Sequence, residues 1–386
     1  MTQPSFPIAR PEVESLKAYS APLEGRRGLL RLDFNENTIG PSPKVVEALR
    51  AIPADHIAIY PEYDGLREAV IANLAGQGNG LAKPLSPEQI GLFNGVDAAI
   101  HAIFHAYGDR GERLLTTSPT FGYYTPCAQM QGMAIEAIPY RGDAFEFPLE
   151  EIRAALGGQG AAADGEGSPP RLLLICNPNN PTGTRLAPEP ILELAKAAPR
   201  TLVVVDELYE AFTGDSVLPF ADFGATPNLL VLRSLAKTAG LAGLRMGFAI
   251  GHAAVVDRVS RVTGPYDINS FAVTAAFAAL ADQPYTDAYV AEVLKARDWL
   301  AAELASTGVR HHVAGGNYLL LWPKGPAAEV EWRLREAGIL VRSMAGKPLI
   351  DGSLRVSIGT TEQMQQFWSA YTAIEGITGS NESTEP

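Results

Sequence analysis

Residues 171–209 read RLLLICNPNNPTGTRLAPEPILELAKAAPRTLVVVDELY. Two unbroken apolar runs, Arg171 to Cys176 and Thr201 to Val205, flank a segment from Pro188 to Ala198 with helical periodicity. A strand with one wet face alternates apolar and polar residues, whereas an unbroken run suits a parallel strand covered on both faces. Strand, helix and strand in that order form the repeating unit of a parallel sheet. The same texture continues outward. Gln89 to Phe93 reads as a strand, Val96 to Tyr107 (VDAAIHAIFHAY) as a helix and Arg113 to Thr117 as a strand. Leu229 to Leu232 and Met246 to Ile250 read as two more strands. The alternation predicts a doubly wound α/β large domain over residues 40–284 with a mostly parallel sheet. After residue 285 the texture changes to a long helix (Tyr289 to Thr307), a strand (Tyr318 to Trp322), a helix (Ala327 to Ala337) and short strands at Leu340 and Leu354. This predicts a smaller α+β domain built from 1–39 and 285–376. Gly- and Pro-rich stretches at 75–87 and 157–170 read as loops, and 377–386 as a disordered polar tail.

The chain has 386 residues, with 31 Lys and Arg against 43 Asp and Glu, a net charge of −12. That length allows a large buried core, and the acidic balance argues against a nucleic-acid partner. Two cysteines, Cys127 and Cys176, make neither a disulfide framework nor a Cys-based zinc site. His101 and His105 lie four apart on one predicted helix but have no third ligand nearby, so packing or helix surface is the expected role. Residues 1–16 carry no apolar run of signal-peptide length. The most apolar helical run, Ile268 to Ala281, is too short and too polar to span a bilayer. A cytoplasmic protein without a membrane partner is the expectation.

In an open α/β sheet, ligands bind beyond the carboxyl ends of the strands. Asn177-Pro-Asn-Asn-Pro-Thr-Gly183 follows the first run. Alone it would be a plain turn. Asp206-Glu-Leu-Tyr209 follows the second, and a carboxylate there is costly unless paired or well hydrogen-bonded, with a helix N-cap as the bland alternative. Ser234-Leu-Ala-Lys237 follows the third, with Arg245 eight residues beyond the lysine. A lone lysine would be a solvated surface group. Together these groups suit a pyridinium cofactor that carries a phosphate and an aldehyde. The carboxylate would hold the ring nitrogen protonated, the lysine would bond the aldehyde, and the arginine and hydroxyl would bind phosphate.

The ordered set NPNNPTG, DELY, SLAK and the distal arginine resembles the fold-type-I pyridoxal-phosphate aminotransferases, and within them the histidinol-phosphate aminotransferase branch. The resemblance runs from about Leu32 to Thr361. It implies that Lys237 is the Schiff-base lysine, that Asp206 holds the pyridine nitrogen, and that Asn180 and Tyr209 bond the ring's phenolic oxygen. It implies phosphate binding by Ser234, Arg245 and the helix start at Val96 and Asp97. These two would act chiefly through backbone N–H groups, with an N-cap as the other use of Asp97. Tyr124 is expected to stack on the ring, with Phe121 as the alternative. Asn37, in Leu32-Asp-Phe-Asn-Glu-Asn37, lies in the substrate-side segment. Arg355 and Arg342 match the arginines that grip the substrate carboxylate or phosphate. Tyr60 matches a tyrosine that reaches the partner subunit's cofactor, which implies a homodimer with shared sites. Ala236 departs from the usual hydroxyl residue before the lysine; Thr238 or a water could replace that contact.

The implied activity is ping-pong transfer of an amino group between histidinol phosphate, or an aromatic amino acid, and 2-oxoglutarate. A decarboxylase or lyase of the same fold, such as a threonine-phosphate decarboxylase, would share every cofactor motif. A non-catalytic sensor domain is the third possibility, though residues before the match show no basic helix-turn-helix pattern.

Overall fold

A computed structural model describes residues 6–16, 24–157 and 168–377. Most of the expected loop at 157–170 and the tail from 378 lie outside the described residues. Among the described residues, thirteen strands are β1 (Leu30–Arg31), β2 (Ile90–Phe93), β3 (Arg113–Ser118), β4 (Ala134–Pro139), β5 (Leu172–Cys176), β6 (Leu202–Asp206), β7 (Leu229–Ser234), β8 (Gly247–Gly251), β9 (His311–His312), β10 (Tyr318–Leu321), β11 (Ile339–Leu340), β12 (Arg342–Ser343) and β13 (Leu354–Ser357).

Seven of them form one sheet in the order β2-β8-β7-β6-β5-β3-β4. β5 and β6 run parallel, with Leu172 opposite Leu202 and Cys176 opposite Asp206. β8 is antiparallel to both its neighbours, so the sheet is mixed at that edge. The unbroken apolar runs have a direct cause. Leu173, Ile175, Val203, Val205 and Val231 pack into one core, and Leu172, Leu174, Cys176, Val204 and Leu232 into another. Alternate residues therefore serve opposite faces, and both faces are covered. The helix Pro188–Ala197 starts with a proline in its first turn and buries Ile191, Leu194 and Ala195. Their spacing of three and four residues makes one apolar stripe against the sheet.

The edge strand β4 was not expected from sequence. None of its residues, AIEAIP, is buried, and it lacks the unbroken apolar run that marks its neighbours. The long helix spans Gln283–Ser306 and begins six residues before the expected start at Tyr289. Pro284 reads as a breaker, but it sits in the first turn, where its missing N–H costs nothing. The expected domain boundary at 284/285 therefore falls inside a helix.

β12, β13, β10 and β9 form a second, antiparallel sheet. The helices Gln283–Ser306 and Thr361–Glu375 bury Leu300, Leu304, Phe367 and Tyr371 in the same core as Leu319, Leu321 and Val356. β1 pairs parallel with β11, which brings the segment around residue 30 to the C-terminal part of the chain. Leu32 N donates to Leu340 O and Ser357 N donates to Leu32 O, so residues 33–37 enter the cleft from this sheet.

Candidate active site

The carboxyl ends of β5, β6 and β7 deliver Asn177, Asp206 and Ser234 to one edge of the large sheet. Asp206 is 3% exposed. Its Oδ2 accepts from the Tyr124 hydroxyl at 2.6 Å and its Oδ1 from Leu208 N at 3.3 Å. Burial pushes this carboxyl up to about 6. Both contacts are with neutral donors. A carboxylate held this way at neutral pH is a site that favours a cation.

Lys237 follows β7 by three residues. Its Nζ donates to Phe34 O at 2.9 Å and lies 5.9 Å from the centre of the Tyr209 ring. Burial, and then the nearby Arg355 charge, push it down to about 8. An amine in that range is partly unprotonated near neutrality, as a nucleophile and proton carrier requires.

Tyr209 is buried, and its hydroxyl accepts from Asn35 Nδ2 at 3.1 Å and Asn180 Nδ2 at 3.3 Å. Burial raises its phenol above the ordinary value near 10. Asn180 Oδ1 accepts from Arg355 Nη1 at 2.7 Å, and Arg355 Nη2 donates to Asp33 O at 2.5 Å. Arg342 stands opposite Arg355 in the β12–β13 register, with its guanidinium 5.6 Å from the Phe34 ring centre. Arg26 lies 4.4 Å from the same ring and bonds Asp33 and Glu36.

A second group adjoins this cluster. The helix Val96–Tyr107 starts beside the Arg245 guanidinium, whose Nη2 donates to Asp97 Oδ2 at 3.0 Å. Gly95 caps the helix at φ +81°, and a Cβ there would come within 2.5 Å of Arg245 Nη2. A Cβ on Gly247 would come within 2.6 Å of Val96 N. Only glycines let the strand, the helix start and the guanidinium approach this closely. The free N–H groups of the first turn and the arginine together suit an anion. Ser234 Oγ accepts from Ala236 N at 3.0 Å and donates to Met246 O at 3.2 Å.

Lys237, Asp206, Tyr209, Asn180, Tyr124 and Arg355 thus share one cluster, and Val96, Asp97, Ser234 and Arg245 a neighbouring one. Three expectations need correction. Tyr124 is wholly buried and commits its hydroxyl to Asp206, so it does not offer a face for stacking; Phe121, edge-on to it at 5.5 Å, keeps a partly exposed ring. Asp97 is not an N-cap, because its carboxylate pairs with Arg245. Asn37, expected on the substrate side, commits its side chain to backbone groups of the protein. Its Nδ2 donates to Thr238 O and its Oδ1 accepts from Ile39 N and Gly40 N. It ties the N-terminal segment to the lysine loop. Tyr60 lies apart from both clusters, 70% exposed and stacked on Tyr266 at 4.1 Å.

Asp33, Phe34 and Asn35 were not expected as site residues, although each touches one: Arg355, Lys237 and Tyr209 in turn. Their motif was visible, but two of the three contacts use backbone carbonyls, which carry no residue signature. Among the described residues, no group of three or more His, Cys, Asp or Glu could hold a metal ion, and no helix is long and apolar enough to cross a membrane. The His101 and His105 rings lie 4.5 Å apart.

The profile of the aminotransferase class I and II family matches residues 27–370. A histidinol-phosphate aminotransferase of Roseiflexus castenholzii is 35% identical over 375 residues, covering 92% of this chain and 95% of its own. The crystal structure of the histidinol-phosphate aminotransferase of Sinorhizobium meliloti in complex with pyridoxal-5'-phosphate superposes with a TM-score of 0.82 at 24% identity, covering 96% of this chain and 98% of that one. The L-threonine-O-3-phosphate decarboxylase of Porphyromonas gingivalis superposes with a TM-score of 0.73 at 25% identity, covering 90% of this chain and 99% of its own.

Proposed function

Because the chain belongs to the class I and II aminotransferases, we propose that it uses pyridoxal phosphate to move an amino group between histidinol phosphate, or an aromatic amino acid, and 2-oxoglutarate. One observation carries this reading: Asp206, a buried carboxylate bonded to neutral donors, lies within electrostatic reach of Lys237, an amine pushed down to about 8. The groups fit that cofactor. Asp206 meets the need of a pyridinium nitrogen, Lys237 that of an aldehyde, and Arg245 with the helix start at Val96 that of a phosphate.

When bound, the cofactor supplies a carbonyl that exchanges with the substrate amine and a ring that takes up electrons from the α-carbon. The chain does the rest. Asp206 keeps the proton on the ring nitrogen, and Tyr124 holds that carboxylate in place. Lys237 would carry the proton between the substrate α-carbon and the cofactor. Tyr209 and Asn180 would bond the ring's phenolic oxygen, and Phe121 would supply the aromatic ring against it. Arg355 and Arg342 take the substrate's carboxylate or phosphate. We further propose the division into a large domain (40–284) and a small one (1–39 and 285–376), a homodimer to which Tyr60 contributes across the interface, and a cytoplasmic location.

Absorbance titration of the loaded protein tests the function. Histidinol phosphate should convert the visible band to the pyridoxamine form, and Lys237→Ala should abolish both the band and turnover. Conversion by phenylalanine or tyrosine alone would move the donor. Release of carbon dioxide from an amino acid without conversion would replace transamination by decarboxylation.

A further inference from the structure

Building on the reading of this cleft as a pyridoxal-phosphate site, we propose that Asn35 and Ser357 are positioning residues that aim the Tyr209 hydroxyl proton into the cleft. A phenol carries one proton and accepts two hydrogen bonds. Asn35 Nδ2 at 3.1 Å and Asn180 Nδ2 at 3.3 Å supply two donors to the Tyr209 oxygen. What sets the direction of each amide lies behind it. Arg355 has only donors, so Asn180 turns Oδ1 to Arg355 and its NH2 to Tyr209. Ser357 Oγ accepts from Asn35 N at 2.9 Å and donates its own proton to Asn35 Oδ1 at 2.9 Å. That leaves the Asn35 NH2 for Tyr209.

The alternative orientation of Asn35 is costly. It would place Oδ1 against Tyr209, draw the phenol proton away from the cleft and strip the Ser357 proton of its acceptor. Asn35 and Ser357 are both 0% exposed, so no solvent water makes good that loss. Asn35 is also held at φ +54°, a left-handed conformation that asparagine tolerates better than most residues. Asn317 Nδ2, itself wholly buried, pins its carbonyl at 3.1 Å. With both acceptor positions filled, the Tyr209 proton has to find an acceptor of its own. The phenolic oxygen of the pyridoxal ring is that acceptor. The small sheet, through Ser357 and Asn317, therefore orients a proton on the large sheet's side of the cleft.

The test reads the pH midpoint at which the bound cofactor changes its visible absorption. That midpoint follows loss of the proton from the nitrogen joining Lys237 to the cofactor. Once that proton is gone, the phenolic oxygen carries more uncompensated negative charge, so a donor from Tyr209 favours the deprotonated form and lowers the midpoint. Tyr209→Phe should therefore raise it. Asn35→Gly, which keeps the left-handed backbone without strain, and Ser357→Ala should each raise it by about half a unit or more, the size expected for loss of one hydrogen bond. Neither should add to the shift already present in Tyr209→Phe, because both act through that hydroxyl. An unchanged midpoint in Asn35→Gly and Ser357→Ala, beside a shifted one in Tyr209→Phe, would overturn the proposal. So would full additivity in the double variants. Absence of any visible band in the unaltered protein would instead overturn the functional reading, and this inference with it.

Discussion

At the scale of single residues, the site stores instability that a ligand relieves. Asp206 has its carboxyl raised from an ordinary value of 3.8 to about 6, chiefly by burial. A group whose folded pKa is raised gives stability that is present below the unfolded value and lost as pH rises through the folded one. The loss for Asp206 falls between pH 3.8 and about 6, and integrates to about 3 kcal/mol. Lys237, pushed down from 10.5 to about 8, works in the opposite sense: its stability is present above pH 10.5 and lost as pH falls through 8. Near neutrality the cofactor-free protein carries both costs. Asp206→Asn, which keeps an acceptor for Tyr124, should therefore melt several degrees higher than the parent at pH 8 when cofactor-free, and the two curves should converge below about pH 4. The same variant should bind pyridoxal phosphate more weakly. A lower melting temperature at pH 8 would contradict this account of the carboxylate.

At the scale of elements, what matters is how closely a strand and a helix start can approach. Gly247 opens β8 directly against Val96 N, and Arg245 before it holds φ +57° so that its side chain turns back to Asp97. Gly247→Ala would force the helix start away, since a Cβ at 2.6 Å from a backbone nitrogen has no room. On the reading that this helix start holds the cofactor's phosphate, pyridoxal phosphate affinity should fall by about tenfold. A spectroscopic binding titration would show it; an unchanged affinity would remove the helix start from the site. The elements that sequence reading located best are those with a one-dimensional signature. β5 and β6 are unbroken apolar runs because both faces are covered, and the helix Val96–Tyr107 has its predicted bounds because Gly95 and Gly108 bracket it. β4 escaped because an edge strand needs no such run.

At the scale of the whole molecule, a surface rather than a core stands out. Ile57, Ile59, Tyr60 and Tyr266 are all exposed, at 49% to 70%, and the two tyrosine rings stack on each other in the open. A monomer seldom leaves such side chains together in water. Light scattering should therefore give twice the chain mass of 41.2 kDa. Replacing Ile59 and Tyr266 by aspartate should shift the protein toward the monomer and reduce cofactor binding with it. A monomeric parent protein with full activity would exclude a shared site.

The sequence by itself determined the alternation of strands and helices, and hence a mostly parallel sheet with chemistry at its strand ends. It also placed Asn180, Asp206, Lys237 and Arg245 just past buried strands or tight turns, while Tyr209 and Arg355 entered only through the resemblance to the aminotransferases. Only the tertiary structure decided how those groups are aimed. Asn35 reaches Tyr209 across 174 positions and Ser357 across 322. Tyr124 turns to Asp206 across 82, and Arg245 to Asp97 across 148. The physical reason is that periodicity and turn chemistry act over a few residues, whereas the direction of a buried hydrogen bond depends on whichever donor the fold places behind it.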